Sequence, residues 1–401
     1  MLKFSDRAQY LPPSPIRKLA PYADAAKVAG TRVYHLNIGQ PDIPTPPEFF
    51  EAFRDADVKV LAYSPSAGTT GLRNQIAKYY DRLGYPLDIK QILVTTGASE
   101  AISFIVAAIC NPSEEIIVPE PFYANYRAFG VANGAEVRTV PSSINDHFAL
   151  PSIEAFKEQI CSATRAIMIC NPGNPTGVVY PRKALEELVQ LAVENDLYLI
   201  ADEVYREFVY DGAEHHSVLG IPGAESHVIV VDSISKRFSA CGARIGCIIS
   251  KNQELLDIVM KMSQARLSPP TFGQIGAEAV YQLPQSFYDS VVGEYRARRD
   301  LVKSVIGTID GAFCPEINGA FYAMVKLPVE NTEHFCQWLL EEFTHEGATV
   351  MMAPGAGFYS SPGLGLDEVR IAYVLNQTDL AAAMECLKRG LEAYQNREVT
   401  G

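Results

Sequence analysis

The sequence predicts an α/β protein: a large domain with a mostly parallel central sheet flanked by helices, plus a smaller α+β domain built from both chain ends. Three observations lead there. Short β-branched runs alternate with helical patterns, as parallel strands joined by helical crossovers require. The runs are almost continuously apolar, which suits strands whose sheet is covered on both faces. After about residue 285 the pattern changes to long charged helices with a few strands between them.

In chain order, Ser14-Pro15 reads as an N-cap followed by a first-turn proline, and Gly30 as the end of the helix it starts. A proline-rich connection, Pro41-Asp42-Ile43-Pro44-Thr45-Pro46-Pro47, then enters the main unit. Strands are expected at 92–95, 116–118, 166–169, 198–201, 228–231 and 244–249. A helix over 181–195 places Leu185, Leu188, Val189 and Ala192 on one side. Long helices follow over 289–306 and 380–394. The large domain is expected at 45–285, and the small one from 1–44 with 286–401.

Composition narrows the function classes. Lys and Arg number 34 against 47 Asp and Glu, a net charge of −13, so the chain lacks the basic surface that nucleic acid or anionic lipid demands. The longest apolar run, 104–110, is far short of the ~18 residues a membrane span needs. The N-terminus shows no basic segment leading into an apolar run, so no secretory signal is expected. The eight cysteines are scattered without a C-x-x-C pair, which excludes a zinc ribbon and argues for buried reduced thiols in a cytoplasmic protein. His215-His216 has no ligand partner at suitable spacing and reads as an exposed loop. The glycine-rich stretch 355–365 has no G-K-[ST] and is not a nucleotide loop.

In an open parallel sheet, ligands bind beyond the carboxyl ends of the strands. Four predicted strand ends carry chemistry there. Thr96-Gly97-Ala98-Ser99-Glu100 opens a helix, whose first backbone N–H groups attract an anion. Cys170-Asn171-Pro172-Gly173-Asn174-Pro175-Thr176-Gly177 supplies amides. Asp202-Glu203-Val204-Tyr205 supplies a carboxylate and a phenol, and Asp232-Ser233-Ile234-Ser235-Lys236 an amine with two hydroxyls. Asp202 directly follows an apolar strand, so its charge needs a buried partner.

These motifs in this order, with Arg244 and Gly246 after the lysine, resemble the class-I aminotransferases of the fold-type-I pyridoxal-phosphate enzymes. The resemblance runs from Gly39-Gln40-Pro41-Asp42 to Arg370-Ile371-Ala372-Tyr373 and is strongest to the aspartate aminotransferase subgroup. It implies pyridoxal 5'-phosphate as cofactor, with Lys236 as the amine that joins the cofactor aldehyde and Asp202 facing the ring nitrogen. Tyr205 and Asn174 would contact the ring oxygen, and Tyr123 would stack on the ring face. Ala98, Ser99, Ser233 and Arg244 would hold the phosphate, with Tyr63 reaching it from the neighbouring subunit of a homodimer. Arg370 would clamp the substrate carboxylate, assisted by Asn174 and the backbone of Gly39.

The implied reaction is ping-pong transfer of an amino group from an L-amino acid, with aspartate a candidate donor, to a 2-oxo acid. Arg266 is a candidate reader of a side-chain carboxylate across the subunit boundary, with an interface salt bridge as its other reading. Where some family members carry a histidine supporting the aspartate, Tyr126 stands. A carbon–sulfur β-lyase on the same cofactor is the alternative outcome. A non-catalytic cofactor-binding regulator is remote, because the short N-terminus leaves no room for a basic helix-turn-helix.

Overall fold

A computed structural model describes residues 2–400. Its strands, in chain order, are β1 (Arg32–His35), β2 (Ile92–Thr95), β3 (Glu115–Glu120), β4 (Glu136–Pro141), β5 (Thr164–Cys170) and β6 (Tyr198–Asp202). There follow β7 (Val228–Ser233), β8 (Gly246–Ile249), β9 (Tyr322–Lys326), β10 (Ala348–Met351), β11 (Ala353–Pro354) and β12 (Glu368–Ala372).

Seven of them form the central sheet in the order β2-β8-β7-β6-β5-β3-β4. All neighbours are parallel except β8, which runs antiparallel between β2 and β7. Alternation along the strands divides the interior. Ile116, Met168, Ile200, Ile229 and Ile248 pack into one core. Ile117, Ile167, Ile169, Leu199, Val230 and Ile249 pack into another on the opposite face. Burial on both faces is why these strands lack polar alternation. The first of these cores continues into elements from both chain ends, through Leu36, Tyr295, Val325, Val369 and Leu387.

Those end segments form a second structural layer. β1 pairs with β10 in a parallel two-stranded sheet, and β11-β12-β9 form an antiparallel sheet of three. The helices Gln285–Ile306 and Gln377–Thr400 pack on each other beside them. Among the described residues no helix is long and apolar enough to cross a membrane.

Three local readings need correction. The helix expected directly after Ser14-Pro15 starts only at Ala20 and runs to Val28. Pro21 sets that boundary: without an N–H it fits the first turn of this helix but not the interior of one begun at residue 15. Second, β4 was not anticipated. It is the sheet's edge strand, and its Glu-Val-Arg-Thr-Val alternation reflects one covered and one wet face. Third, the strand expected from residue 244 starts at Gly246, because Arg244 lies in the left-handed region (φ 55°) and turns the chain into the strand.

Candidate active site

The carboxyl ends of β5, β6 and β7 and the helix start after β2 surround one cavity of about 340 Å³, which segments from both chain ends close from above. The residues expected at the site line it, except Tyr63 and the candidate Arg266.

Lys236 sits in the short helix Ile234–Arg237 that caps β7. Its Nζ donates to the carbonyl of Gly39 at 2.8 Å and lies 3.8 Å from Cys241 Sγ. Burial holds its pKa below the ordinary lysine range, Cys241 opposes that effect, and the charges of Arg370 and Arg244 add to it. An amine so placed loses its proton more readily than a surface lysine.

Across the cavity, Asp202 ends β6 and is buried. Burial raises its pKa to about 6, against the opposing hydrogen bonds from Tyr126 and the Val204 backbone. Tyr126 Oη donates to Oδ2 at 2.7 Å, and the Val204 N–H to Oδ1 at 3.3 Å. Tyr126 thus supports the carboxylate from behind. No cation lies within ion-pair distance of this carboxylate among the described residues, so its remaining valence points into the cavity.

The anion cradle is built by close backbone approach. The helix Gly97–Ile109 begins at the cavity with Ala98 and Ser99 in its first turn. Below it runs Gly246, where a Cβ would meet Gly97 C at 2.6 Å and Ala98 N at 2.7 Å. Only glycine lets β8 pass there. Arg244 donates to the carbonyl of Cys241 at 3.0 Å and pairs with no carboxylate among the described residues, which leaves its charge for a ligand. Ser233 is committed more locally: its hydroxyl donates to the carbonyl of Ile245 and accepts from the Ser235 N–H.

Arg370, on β12, reaches the other end of the cavity almost completely buried. It donates to Asn174 Oδ1 at 3.0 Å and to the carbonyl of Asn37. Its Nε has no hydrogen-bond partner among the described residues. Tyr322 and Phe358 hold the guanidinium plane between their rings, with centroids at 4.6 and 4.7 Å. Neither ring was anticipated. Tyr322 belongs to β9, paired in register beside β12, and Phe358 lies in the turn Gly355–Phe358 of the glycine-rich stretch. Their contact with Arg370 depends on cross-strand register, which no local sequence pattern displays. Tyr322 Oη also lies 2.8 Å from Tyr205 Oη, and a Cβ at Gly39 would strike it, so any larger residue at 39 would displace the Tyr322 ring.

The remaining expected residues fall in different places. Tyr123 lines the cavity, with its hydroxyl accepting from Asn125 Nδ2 at 2.8 Å. Tyr63 lies outside, 79% exposed. Arg266 is held within its own chain by Glu100 at 3.1 Å and the carbonyl of Ser66. His215 overturns the exposed-loop reading. It is buried behind the amide loop, its Nε2 3.1 Å from the Asn171 carbonyl. Burial depresses its pKa, so the ring is neutral.

A half-buried amine, a buried carboxylate and two arginines with no carboxylate partner among the described residues, all around one cavity, suit an enzyme that handles small charged molecules. The comparisons name the family. Residues 31–387 match the model of aminotransferase class I and II, and the chain belongs to that family. It is 30% identical to the bifunctional aspartate aminotransferase and glutamate/aspartate-prephenate aminotransferase of Petunia hybrida, over 97% of this chain and 83% of that one. It is also 30% identical to aromatic-amino-acid aminotransferase 2 of Thermococcus litoralis, over 98% and 99% of the two chains. The structure superposes on the aspartate aminotransferase from Thermus thermophilus with maleate at a TM-score of 0.88 and 30% identity, covering 97% of this chain and 100% of that one. The protein is an aminotransferase of the aspartate aminotransferase type, and its reaction is amino-group transfer.

Proposed function

We propose that the enzyme uses pyridoxal 5'-phosphate to move the amino group of an L-amino acid to a 2-oxo acid in two alternating half-reactions, as a homodimer. The observation that carries this reading is the placement of the Lys236 amine and the Asp202 carboxylate in one cavity. The residues fit the cofactor: among the described residues Asp202 has no cation and Arg244 no carboxylate in ion-pair range, and the helix start at Gly97 offers first-turn N–H groups beside Arg244.

Pyridoxal phosphate, when bound, supplies an aldehyde that exchanges amines and a ring that delocalises the electron pair left at the substrate Cα. The chain's own groups do the rest. Asp202 would keep the ring nitrogen protonated, and Tyr205 with Asn174 would contact the ring oxygen. Ala98, Ser99, Ser233 and Arg244 would take the phosphate, and Tyr123 would cover the ring. Arg370, already flat between two rings, binds the substrate α-carboxylate with help from Asn174 and the backbone of Gly39. Lys236 Nζ would take the proton from the substrate Cα and hold it for return. Residues 45–285 would carry the cofactor, while 1–44 and 286–401 close over the substrate and exclude water.

The dimer and compartment belong to the same reading. Val60, Leu61, Tyr63, Leu267 and Phe272 expose apolar surface on two segments joined by a Thr271–Ala62 hydrogen bond. From there Tyr63 would reach the neighbouring phosphate. All eight cysteines are free thiols, as suits the cytoplasm.

Borohydride reduction of the holoenzyme followed by peptide mass spectrometry tests the central claim. The cofactor mass is expected on Lys236; its appearance on another lysine, or nowhere, refutes the assignment. Lys236→Ala should keep cofactor by its phosphate contacts yet lose roughly a thousandfold or more in turnover.

A further inference from the structure

Arg370 is a buried cation whose hydrogen bonds go to neutral oxygens, Asn174 Oδ1 and the Asn37 carbonyl. Burial lowers its pKa, and the groups that oppose this are three phenols, Tyr322 first, then Tyr205 and Tyr123. The ring of Tyr322 lies against the guanidinium itself, with its centroid at 4.6 Å.

Tyr322 is held on several sides. It opens β9, where it pairs with Ala372, and it is 2% exposed. Its backbone carbonyl runs so close to Gly177 that a Cβ there would meet it at 2.7 Å. Its hydroxyl lies 2.8 Å from that of Tyr205, and the two rings stand at 82° to each other. Burial raises the pKa of both hydroxyls, but Arg370 pulls that of Tyr322 back, whereas the contact with Tyr322 pushes that of Tyr205 further up. Tyr123, Cys241 and Tyr295, also titratable and close to Tyr322, bring no positive charge, so the polarisation comes from Arg370. The more acidic phenol is the better donor. Tyr322 therefore donates to Tyr205, which leaves the Tyr205 O–H free to donate into the cavity and strengthens it as a donor.

We propose that Tyr322 is a positioning residue with two separable duties: its ring holds the Arg370 fork flat for the α-carboxylate, and its hydroxyl sets the direction and strength of the Tyr205 hydrogen bond to the cofactor's ring oxygen. This inference rests on the cofactor reading above. One side chain from the end segments then serves the substrate contact and the cofactor contact together.

The test separates hydroxyl from ring. The first measurement is the pH midpoint of the absorbance change of the bound cofactor. A hydroxyl that donates to the ring oxygen favours the deprotonated chromophore, so losing it raises the midpoint. Tyr205→Phe should raise it, and Tyr322→Phe should raise it in the same direction by roughly 0.4–1 pH unit. The Tyr205→Phe, Tyr322→Phe double variant should go no higher than Tyr205→Phe alone, because the second hydroxyl acts through the first. The second measurement is spectral titration with propionate, which offers a carboxylate and no amine. Tyr322→Leu should weaken propionate roughly 10-fold, and Tyr322→Phe should stay within about twofold of wild type. Phe358→Leu removes the other ring; it should weaken propionate without moving the midpoint. Thermal melting of the apoproteins identifies the variants that fold, and Tyr322→Phe with Phe358→Leu suffices if Tyr322→Leu does not. A Tyr322→Phe midpoint equal to wild type, additive shifts in the double variant, or propionate affinity unchanged in the ring variants overturns the proposal. If wild type forms its coloured complex and these comparisons fail, only the role of Tyr322 falls. If wild type forms no such complex, the cofactor reading falls and takes this inference with it.

Discussion

Asp202 is held at its position by a phenol, a backbone N–H and burial, and these three have opposite effects on its charge. With a pKa of about 6 in the free protein, it is ionised above that pH and neutral below it. A bound ring nitrogen carrying a proton favours the ionised form, so binding lowers this pKa. The contribution of Asp202 to cofactor affinity is therefore complete above about pH 6 and lost as pH falls through it. Cofactor titrations of the apoprotein should show that decline in wild type, beyond any decline in Asp202→Asn. Tyr126→Phe removes a hydrogen bond to a charge worth about 1.5–3 kcal/mol, so the decline should begin roughly one to two pH units higher. Coincident curves for wild type and Asp202→Asn would refute the assigned role. Asp202 was visible in the sequence because it directly follows an apolar strand, and Lys236 because it belongs to the polar motif past the end of the next one. The Tyr126 bond was only a candidate, since its acceptor lies 76 positions away.

The antiparallel strand β8 matters as an element because it slides beneath the start of a helix. Gly246 faces Gly97, and Gly97 itself has φ 75° with Arg244 Nη2 against it. Both glycines serve one purpose, which is to let strand, helix start and guanidinium share the space around an anion. Gly246→Ala puts a methyl group against backbone that cannot move alone, so it should cost about 1–3 kcal/mol of stability. It should also weaken cofactor binding through the phosphate cradle. Thermal melting of the apoprotein and cofactor titration measure the two effects separately. A variant with wild-type affinity would show that the cradle tolerates displacement. Buried strands were legible as elements because they are apolar throughout. The edge strand β4 was not, since its alternation is shared with amphipathic loops, and the first helix was displaced by Pro21.

For the molecule as a whole, the apolar surface around Tyr63 is expected to be covered by a second copy. Val60 is 78% exposed and Leu61 lies beside it, on a loop that also bonds to the segment carrying Phe272. A Val60→Asp, Leu61→Glu double variant buries nothing in the isolated chain, so its fold should persist while its mass in solution falls to that of a monomer. Sedimentation should show that change together with weaker cofactor retention, because Tyr63 is withdrawn from the neighbouring phosphate. A wild-type monomer, or a monomeric variant with undiminished cofactor affinity, would count against the shared site.

The fold class, the family and most of the cavity's chemistry were readable along the chain. The reason is physical: a buried parallel strand must be apolar, and a polar group placed just past its end has few destinations other than the rim of the sheet. The surroundings of those groups were not readable. Tyr322 and Phe358 around Arg370, Asn37 between Arg370 and the Ile16 carbonyl, Glu100 on Arg266 and the burial of His215 all join residues distant in sequence. Strand register and loop packing bring them together, and those arise only when the whole chain has folded.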